Sequence, residues 1–380
     1  MEDTPMAVIA IRKLNKTTGA ARIALQQISI LRDIGYHVTV ICEEANEKTI
    51  CLYGGHLKKM MALPFGKLMR RKWFSRRANH WCQRHNPSLI ISHGDIENSD
   101  IIYMHNCVDL AQEIIYPNSV RRQSDVSKIH QKILKESHYK NIVANSHLMA
   151  RDLINRYTIP SHKLRVSHPG FDAQKFNASV QSRFRKTQRK ELGISDSEKL
   201  VGLITSGDFE KRNLELFIEI AGQLTKQSDL SYHFLVIGQG NINIYKEKVA
   251  VLGIENYFTW KKMVPNVEHY YSALDLFVLP AHIEEFGCAI LEAMACSTLT
   301  LMSERVGAGE ILLGDLKSLI VKGYDLKHWA EKIDNMMKND NRYLRSQLIE
   351  TANQYTYDYQ YKALQDIIAE HLQKKTKGDL

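Results

Sequence analysis

The sequence predicts an α/β protein made of two doubly wound domains. Short apolar segments alternate along the chain with longer amphipathic segments, which is typical of parallel strands covered by helices on both faces of a sheet. This alternation occurs in two successive series, one in each half of the chain. A chain of 380 residues also exceeds what one ordinary hydrophobic core contains. Two domains are therefore expected.

The first series of predicted elements lies before residue 170. Its strands are expected at residues 6–11, 37–42, 89–92, 101–104, 142–144 and 164–167. Its helices are expected at residues 20–32, 126–139 and 147–157, where apolar side chains recur with helical spacing. The strands of the second series are expected at residues 200–205, 232–237, 275–279, 298–302 and 319–321. Helical stretches separate these strands too, so the second half repeats the architecture of the first.

The domain limits follow from a polar, basic segment, NASVQSRFRKTQRK, which contains few large apolar residues and is typical of a linker. We predict an N-terminal domain over residues 1–176, a linker over 177–195 and a C-terminal domain over 196–354. Residues 355–380 are predicted to form a final helix that packs back on the N-terminal domain. Because doubly wound folds bind ligands at the carboxyl ends of their strands, a site is expected in a cleft between the two sheets.

The charge is divided unevenly between the two halves. Residues 1–190 contain 31 lysines and arginines against 15 acidic residues, a net charge of +16, whereas residues 191–380 carry a net charge of −7. No acidic residue lies between Glu47 and Asp95. The N-terminal half is therefore expected to meet an anionic partner, such as a phosphorylated substrate, an anionic lipid surface or a nucleic acid.

Several classes of protein are disfavoured by composition. No stretch approaches the roughly 18 consecutive apolar residues of a membrane span, and the first residues do not form a secretory signal. The six cysteines are scattered, without the paired spacing of a zinc site. Such cysteine usage favours reduced thiols in the cytoplasm over a disulfide framework. We therefore expect a cytoplasmic globular protein.

The most informative segment is PAHIEEFGCAILEAMAC, in which a predicted strand is followed by a loop and a helix. Glu284 lies before the helix and Glu292 lies about two turns into it. The backbone amides of Phe286, Gly287 and Cys288 are expected at the helix N-terminus, where they carry partial positive charge and suit a phosphate or sugar oxygen. Taken alone, the two glutamates also fit a helix with an acidic start and one exposed side chain.

The pattern Glu-x-Phe-Gly-x-x-x-x-Glu-Ala-Met-Ala in this segment resembles the signature of the retaining family 4 glycosyltransferases. The resemblance implies a GT-B fold, with two doubly wound Rossmann-like domains facing a central cleft. It implies that Glu284 contacts the sugar of a nucleotide-sugar donor and that Glu292 binds the nucleotide ribose. The usual proline after the first glutamate is Glu285 here, and the usual glycine after the final alanine is Cys296.

Other segments resemble the same family in the same order. The segment TSGDFEKRN resembles the phosphate loop of the lipopolysaccharide core glucosyltransferases, which implies that Lys211 and Arg212 bind the donor diphosphate. Residues 17–20 resemble the first glycine-rich loop, of which Gly19 is kept. His105 follows a predicted strand, where the family often has a histidine near the donor sugar. A solvated helix start at residues 205–213 and a structural histidine at position 105 are the simpler alternatives.

The charge of a departing diphosphate must be neutralised during transfer, either by a metal held between carboxylates or by cations and helix N-termini. The sequence contains no Asp-x-Asp pair, whereas Lys211, Arg212 and the amides of residues 286–288 are available for this role. We therefore expect a reaction without metal or cofactor. No Walker motif and no Gly-x-Ser-x-Gly elbow is present, so ATPase and serine hydrolase activities lack support.

A second unusual segment, KLMRRKWFSRR, combines six cations with apolar and aromatic residues. Such a composition suits an anionic membrane surface, with the aromatic side chains in the interface and the cations on the head groups. A solvated basic helix face and nucleic-acid binding are the alternatives. Residues assigned to a membrane or acceptor contact are Lys67, Arg70, Arg71, Lys72, Trp73, Arg76 and Arg77.

The sequence therefore predicts a retaining glycosyltransferase that moves a hexose from a UDP-sugar to a hydroxyl of a glycolipid or polysaccharide, such as lipopolysaccharide core, at the inner face of the cytoplasmic membrane. In that reaction His105 orients the sugar or acceptor. No nucleic-acid partner is expected. A UDP-sugar 2-epimerase of the same fold is one alternative, and a non-enzymatic basic protein that binds nucleic acid or membrane is the other.

Overall fold

The computed structural model describes residues 4–14, 18–64, 66–118, 124–136 and 138–378. Thr17, at the start of the predicted glycine-rich loop, lies outside these residues. The chain divides into two compact units. Unit 1 extends to Pro169 and also includes the residues from Tyr357 onward, and unit 2 comprises Gly170–Thr356. Both units have parallel sheets with helices, so the predicted α/β class is confirmed.

Unit 1 has a seven-stranded parallel sheet in the order β5-β3-β1-β6-β7-β8-β9, and β2 pairs with β4 beside it. Its strands are β1 (Met6–Ala10), β2 (Lys13–Leu14), β3 (His37–Cys42), β4 (Glu44–Ala45), β5 (His56–Lys59), β6 (Leu89–Ser92), β7 (Ile101–Tyr103), β8 (Asn141–Ala144) and β9 (Leu164–Val166). Its helices are α1 (Gly19–Asp33), α2 (Glu47–Leu52), α3 (Lys67–His85), α4 (Val108–Ile115), α5 (Asp125–Glu136), α6 (His147–Tyr157) and, at the end of the chain, α14 (Tyr357–Gly378).

Unit 2 has a six-stranded parallel sheet in the order β12-β11-β10-β13-β14-β15. Its strands are β10 (Lys199–Ile204), β11 (Tyr232–Ile237), β12 (Phe258–Lys261), β13 (Leu276–Leu279), β14 (Leu299–Ser303) and β15 (Ile320–Val321). Its helices are α7 (Ser179–Leu192), α8 (Leu214–Gln227), α9 (Asn243–Leu252), α10 (Val267–Ala273), α11 (Cys288–Ala295), α12 (Leu326–Lys338) and α13 (Arg342–Asn353).

In each sheet the strand order reverses once. In unit 2 the chain runs outward from β10 to β12 and then returns to β13 beside β10, while in unit 1 the reversal lies between β1 and β6. The loops that leave the two strands at such a reversal diverge, which opens a crevice at their carboxyl ends. Residues after β10 and β13, and after β1 and β6, are therefore placed to bind ligands.

The segment predicted as a linker, 177–195, is instead part of unit 2. It contains α7, whose Arg185 and Arg189 form ion pairs with Asp275 at 2.5 and 3.1 Å. Arg189 is only 2% exposed. The prediction was wrong because these cations, which make the segment resemble a solvated linker, have a shared partner, Asp275, that lies far away in sequence.

The final helix, α14, belongs to unit 1. Leu364, Ile367 and Ile368 are buried in the same apolar cluster as residues of α1. Arg165 on β9 also forms an ion pair with Glu370 of this helix, with Nε and Oε2 separated by 2.8 Å. Apolar burial and a charge pair thus both attach the C-terminal segment to the first unit.

His130 on α5 makes the stability of unit 1 depend on pH. Burial lowers its pKa from 6.5 to about 4, and the nearby Arg71 acts in the same direction. An unfolded chain binds a proton at His130 below about pH 6.5, whereas the folded protein does so only near pH 4. Above about pH 6.5 His130 is neutral in both states and does not affect the pH dependence. As the pH falls from 6.5 towards 4, only the unfolded chain binds the proton, so the free energy of unfolding decreases.

We expect the free energy of unfolding to fall by about 2 kcal/mol between pH 7 and pH 5 because of His130 alone. Urea titrations at both pH values should show a smaller fall in His130→Asn than in the wild type. His80→Asn is the control, because His80 lies on the exposed side of α3 and loses little hydration on folding. An identical pH dependence in His130→Asn and the wild type contradicts this account.

Candidate functional site

Two loops meet at the strand reversal of unit 2. One loop follows β10 and includes residues 205–213, and the other follows β13 and includes residues 280–287. The backbone amide of His282 donates to the carbonyl of Lys211 at 3.0 Å. The two segments that the sequence analysis singled out are therefore neighbours at the carboxyl edge of one sheet.

Two adjacent ion pairs join the side chains of these loops. Arg212 lies 2.5 Å from a carboxylate oxygen of Glu284. Lys211 donates from Nζ to both carboxylate oxygens of Glu285 at 2.7 Å. Both cations were expected from the sequence to be available for a ligand, whereas each already has a carboxylate partner. Glu285 is the residue that sequence reasoning missed, because it replaces a residue that carries no charge in the family pattern.

The loop after β10 reaches its partner through an unusual backbone path. Asp208 and Asn213 have φ values of 59° and 54°, in the left-handed region, and Gly207 has a φ of 144°. Asp208 Oδ1 accepts a hydrogen bond from the amide of Lys211 at 3.1 Å, and Asn213 caps α8 by accepting from Leu216. Among residues with a Cβ atom, aspartate and asparagine tolerate this conformation best. The backbone turns at these two residues, and this brings Lys211 close to the loop that follows β13.

Gly287 allows the second loop to turn into α11. Its φ of 98° lies in the left-handed region, and an added Cβ would lie 3.1 Å from Cγ of Glu284. The helix begins at Cys288, so residues 286–288 lie at its N-terminus as predicted from the sequence. The ring of Phe286 is buried in the core of unit 2, which limits its role in any ligand contact to its backbone.

Glu292 lies in the second turn of α11 and is only 4% exposed. Tyr271 donates a hydrogen bond from its hydroxyl to Oε2 of Glu292 at 3.2 Å. A buried carboxylate needs such polar partners, because transfer from water to an apolar environment is otherwise costly. Tyr271 is a further residue that the sequence pattern did not reveal.

Burial and charge act in opposite directions on Glu284. Burial raises the pKa of its carboxyl group, while the guanidinium of Arg212 favours the ionised form. Nη1 of Arg212 is buried and has no hydrogen-bond partner among the residues that the structure describes. Because an unsatisfied buried donor costs free energy, this atom is suited to an acceptor that a ligand brings.

In unit 1, His105 follows β7 and pairs with a second histidine, His93, which follows the neighbouring strand β6. His93 Nδ1 and His105 Nε2 are 2.7 Å apart, and His93 Nε2 is 2.9 Å from Oε1 of Gln27. Burial, together with the neighbouring His105, lowers the pKa of His93 well below its ordinary value, so its ring is neutral.

The tautomers of both rings follow from these contacts. The oxygen of Gln27 can only accept, so Nε2 of His93 donates to it. Nδ1 of His93 then accepts the proton of His105 Nε2, which fixes the orientation of the His105 ring. A cavity with room for about one water molecule lies beside His105 and is also lined by Asn145 and His168. Histidines that follow two adjacent parallel strands could have been recognised from the sequence.

Gly19 is the first residue of α1, and Thr18 caps that helix by accepting from the amide of Ala21 at 3.2 Å. An added Cβ on Gly19 would meet no atom within 4 Å. Packing among the described residues therefore does not require glycine here, and the site is compatible with a ligand that approaches the backbone closely.

The predicted basic segment forms the first part of α3. Two of its cations are paired within unit 1: Arg70 with Glu43 and Glu44 at 2.8 and 2.6 Å, and Arg71 with Asp95 at 3.4 Å. Both cations, which the sequence analysis assigned to a membrane or acceptor contact, thus have carboxylate partners that come from distant segments. Trp73 and Lys72 are half-buried, while Lys67, Arg76 and Arg77 are exposed.

Within the described ranges, no helix is both long and apolar enough to cross a membrane. Among these same residues, no group of three or more histidine, cysteine, aspartate or glutamate side chains converges to hold a metal ion.

Comparison with protein families gives two matches that cover most of the chain. Residues 17–175 match the model for Glycosyltransferase Family 4, and residues 184–355 match the model for Glycosyl transferases group 1. The first match includes His105. The second includes the ion pairs Lys211–Glu285 and Arg212–Glu284.

Among curated relatives, the D-inositol 3-phosphate glycosyltransferases of Corynebacterium jeikeium and Corynebacterium urealyticum are 25% and 26% identical to this chain over 232 residues. The alignments cover 58% of this chain and 54% and 53% of the two relatives. The chain thus spans about half the length of the curated relatives it matches.

Solved structures share the fold at low sequence identity. WaaG, a glycosyltransferase involved in lipopolysaccharide biosynthesis, superposes with a TM-score of 0.77 at 15% identity, over 92% of this chain and 95% of that chain. Sucrose-phosphate synthase from Thermosynechococcus elongatus gives 0.78 at 14% identity, over 97% and 100%. HepE from Anabaena, in complex with UDP and glucose, gives 0.73 at 15% identity, over 96% and 100%.

Proposed function

The chain belongs to the GT-B glycosyltransferases, and we propose that it transfers a hexose from a UDP-sugar, with retention of anomeric configuration, to a hydroxyl of a glycolipid acceptor such as lipopolysaccharide core. The observation that carries this proposal is the pair of adjacent ion pairs at the strand reversal of unit 2. They bring two cations and two carboxylates to the edge where doubly wound folds bind nucleotides.

The chemistry of transfer gives each of these groups a role. Negative charge develops on the departing diphosphate, and Lys211, Arg212 and the N-terminus of α11 stabilise it without a metal. Glu284 accepts hydrogen bonds from the hydroxyls of the donor sugar. The diphosphate oxygen that leaves helps to deprotonate the acceptor hydroxyl. His105, held in one orientation by His93, positions the sugar or the acceptor.

UDP is the favoured nucleotide because a structural neighbour, HepE, has been solved with UDP and with UDP-glucose. Glu292 is then the partner of the ribose hydroxyls. It is buried on the helix whose N-terminus is assigned to the diphosphate, and its Oε2 accepts a hydrogen bond from the hydroxyl of Tyr271 at 3.2 Å. A carboxylate can accept several hydrogen bonds, which suits the two hydroxyls of a ribose.

Replacing Glu292 by alanine should weaken UDP binding by about 10- to 150-fold, because a hydrogen bond to a charged group contributes about 1.5 to 3 kcal/mol. Calorimetric titration with UDP measures this change. Tyr271→Phe is the matched control, because it removes a neighbouring hydroxyl and leaves the carboxylate in place. Unchanged UDP affinity in Glu292→Ala excludes Glu292 as the ribose ligand.

An anionic acceptor at a membrane surface is favoured by the net charge of +16 in residues 1–190. Lys67, Arg76 and Arg77 remain exposed on α3, and the guanidinium of Arg77 lies 5.8 Å from the centre of the Trp73 ring. We place the part of α3 that carries Arg76 and Arg77 on the anionic inner surface of the cytoplasmic membrane, where each surface cation contributes about 1 kcal/mol.

Changing Arg76 and Arg77 together to glutamine should lower binding to vesicles that contain anionic lipid by about 30-fold, from about 1 kcal/mol for each cation. Sedimentation with the vesicles measures the fraction of protein bound and hence this loss of affinity. Lys226→Gln with Lys246→Gln removes the same charge from exposed positions in unit 2 and should have little effect. Equal losses in the two double variants would show that only net charge matters.

Transfer itself is tested by incubating the protein with a UDP-sugar and lipopolysaccharide core in EDTA and determining the anomeric configuration of the product by NMR. A new glycoside with the configuration of the donor supports the proposal. The alternative with the same fold, a 2-epimerase, exchanges the C2 proton of the sugar with solvent deuterium, and a transferase does not. Deuterium at C2 without a glycoside product favours the epimerase.

A further inference from the structure

The ion pair between Lys211 and Glu285 places a negative charge inside a site proposed to bind a negative ligand. Lys211 is 9% exposed and Glu285 is 2% exposed. Nζ of Lys211 lies 2.7 Å from each carboxylate oxygen, so the lysine uses two of its three donors on this partner. Arg212 and Glu284 are paired beside them. The four side chains together carry no net charge.

This neutrality has opposite consequences for the free and the liganded protein. In the free protein, Glu285 compensates a cation that has lost most of its hydration, and removing one member of such a pair leaves a costly unpaired charge. A diphosphate that approaches Lys211 must instead compete with Glu285 for the same ammonium group, and its charge is repelled by the buried carboxylate. The same residue therefore stabilises the free protein and opposes the ligand.

We propose that Glu285 is a built-in counter-ion of Lys211, which holds the lysine in the absence of ligand and sets the affinity for the diphosphate of the donor and of the released nucleotide. This inference rests on the proposed function, because it needs a diphosphate at Lys211. Glu285 thus tunes the strength of diphosphate binding. The nucleoside diphosphate also dissociates more easily than it would from two uncompensated cations.

Glu285→Gln tests the inference, because it keeps the shape and an acceptor oxygen but removes the charge. Calorimetric titration in EDTA should give a dissociation constant for UDP at least about tenfold lower than in the wild type. Uridine, which lacks the diphosphate, should bind both proteins equally. Without ligand, Glu285→Gln should melt at a lower temperature than the wild type, and saturating UDP should reduce that difference.

Lys211→Met provides the background that separates this role from a general electrostatic effect. If Glu285 acts through Lys211, then Glu285→Gln has no effect on UDP affinity once the lysine is methionine. The double variant contains neither buried charge, so it should melt at a higher temperature than either single variant. Should Glu285→Gln not fold, Glu285→Asp, which keeps the charge but shortens the reach to Lys211, should bind UDP at least about threefold more tightly.

Three results overturn the inference. UDP affinity that is unchanged or weaker in Glu285→Gln shows that the carboxylate does not oppose the diphosphate, while the proposed function stands as long as the wild type binds UDP. Equal tightening in the presence and absence of Lys211 shows that the lysine is not the link. If wild-type protein binds neither UDP nor any other nucleotide, the proposed function fails together with the inference.

Discussion

Replacing Arg212 by methionine is expected to lower kcat/KM for glycosyl transfer by about 100- to 1,000-fold, the usual loss when one preorganised donor to a developing negative charge is removed. Arg212 is held by Glu284 at 2.5 Å, and its Nη1 is buried without a hydrogen-bond partner in the described part of the chain. In the proposed reaction this atom is available to the leaving diphosphate. Methionine keeps the apolar stem but provides no donor.

Initial rates with a UDP-sugar at several concentrations measure this effect. Arg212→Lys is the matched control, because it keeps the charge and loses the planar arrangement of donors, so it should retain more activity than methionine. The melting temperature of both variants separates lost catalysis from lost folding. A folded Arg212→Met protein with kcat/KM within threefold of the wild type contradicts the assigned role.

The second large effect is expected on stability. Changing Asp275 to alanine should lower the free energy of unfolding by about 3 to 5 kcal/mol, because it removes the shared partner of two cations. Arg185 and Arg189 pair with its two oxygens at 2.5 and 3.1 Å, and the amide of Leu200 donates to it at 2.8 Å. Arg189 is almost fully buried, so water cannot solvate its charge once the Asp275 carboxylate is removed.

Urea unfolding followed by circular dichroism measures this change. Glu331→Ala is the control, because Glu331 pairs with Lys327 in solvent and such pairs contribute little; its midpoint should match the wild type. If Asp275→Ala unfolds at the wild-type midpoint, α7 is held by apolar packing and its ion pairs with Asp275 do not determine its stability.

The fold was accessible from the sequence because it depends on local patterns. Strands such as β10 and β11 consist of consecutive apolar residues that are buried in a parallel sheet, and their alternation with helices leaves few arrangements. The motif that contains Glu284 and Glu292 was placed correctly at a strand end and a helix start, because glycine and the strand boundary determine the local path of the chain.

The pairing of charges was not accessible from the sequence. Arg189 resembled a linker cation and Arg70 a surface cation, whereas Asp275 and Glu43 neutralise them from segments far away in the chain. Glu285 differed from the family pattern by one residue, and only the structure shows that Lys211 is its partner. The composition gives the number of charged residues, but the contribution of each charge to stability depends on its burial and on the charges beside it.

The measurement that tests the central claim most directly is the thermal stability of the purified protein in EDTA, with UDP, GDP, ADP and a panel of UDP-sugars. A ligand at 100 times its dissociation constant adds about 2.7 kcal/mol of stability. We predict a rise in melting temperature with UDP and with one UDP-sugar in the absence of metal. No rise with any of these nucleotides contradicts the account, because unit 2 then lacks the donor site inferred from Lys211, Arg212, Glu284 and Glu292.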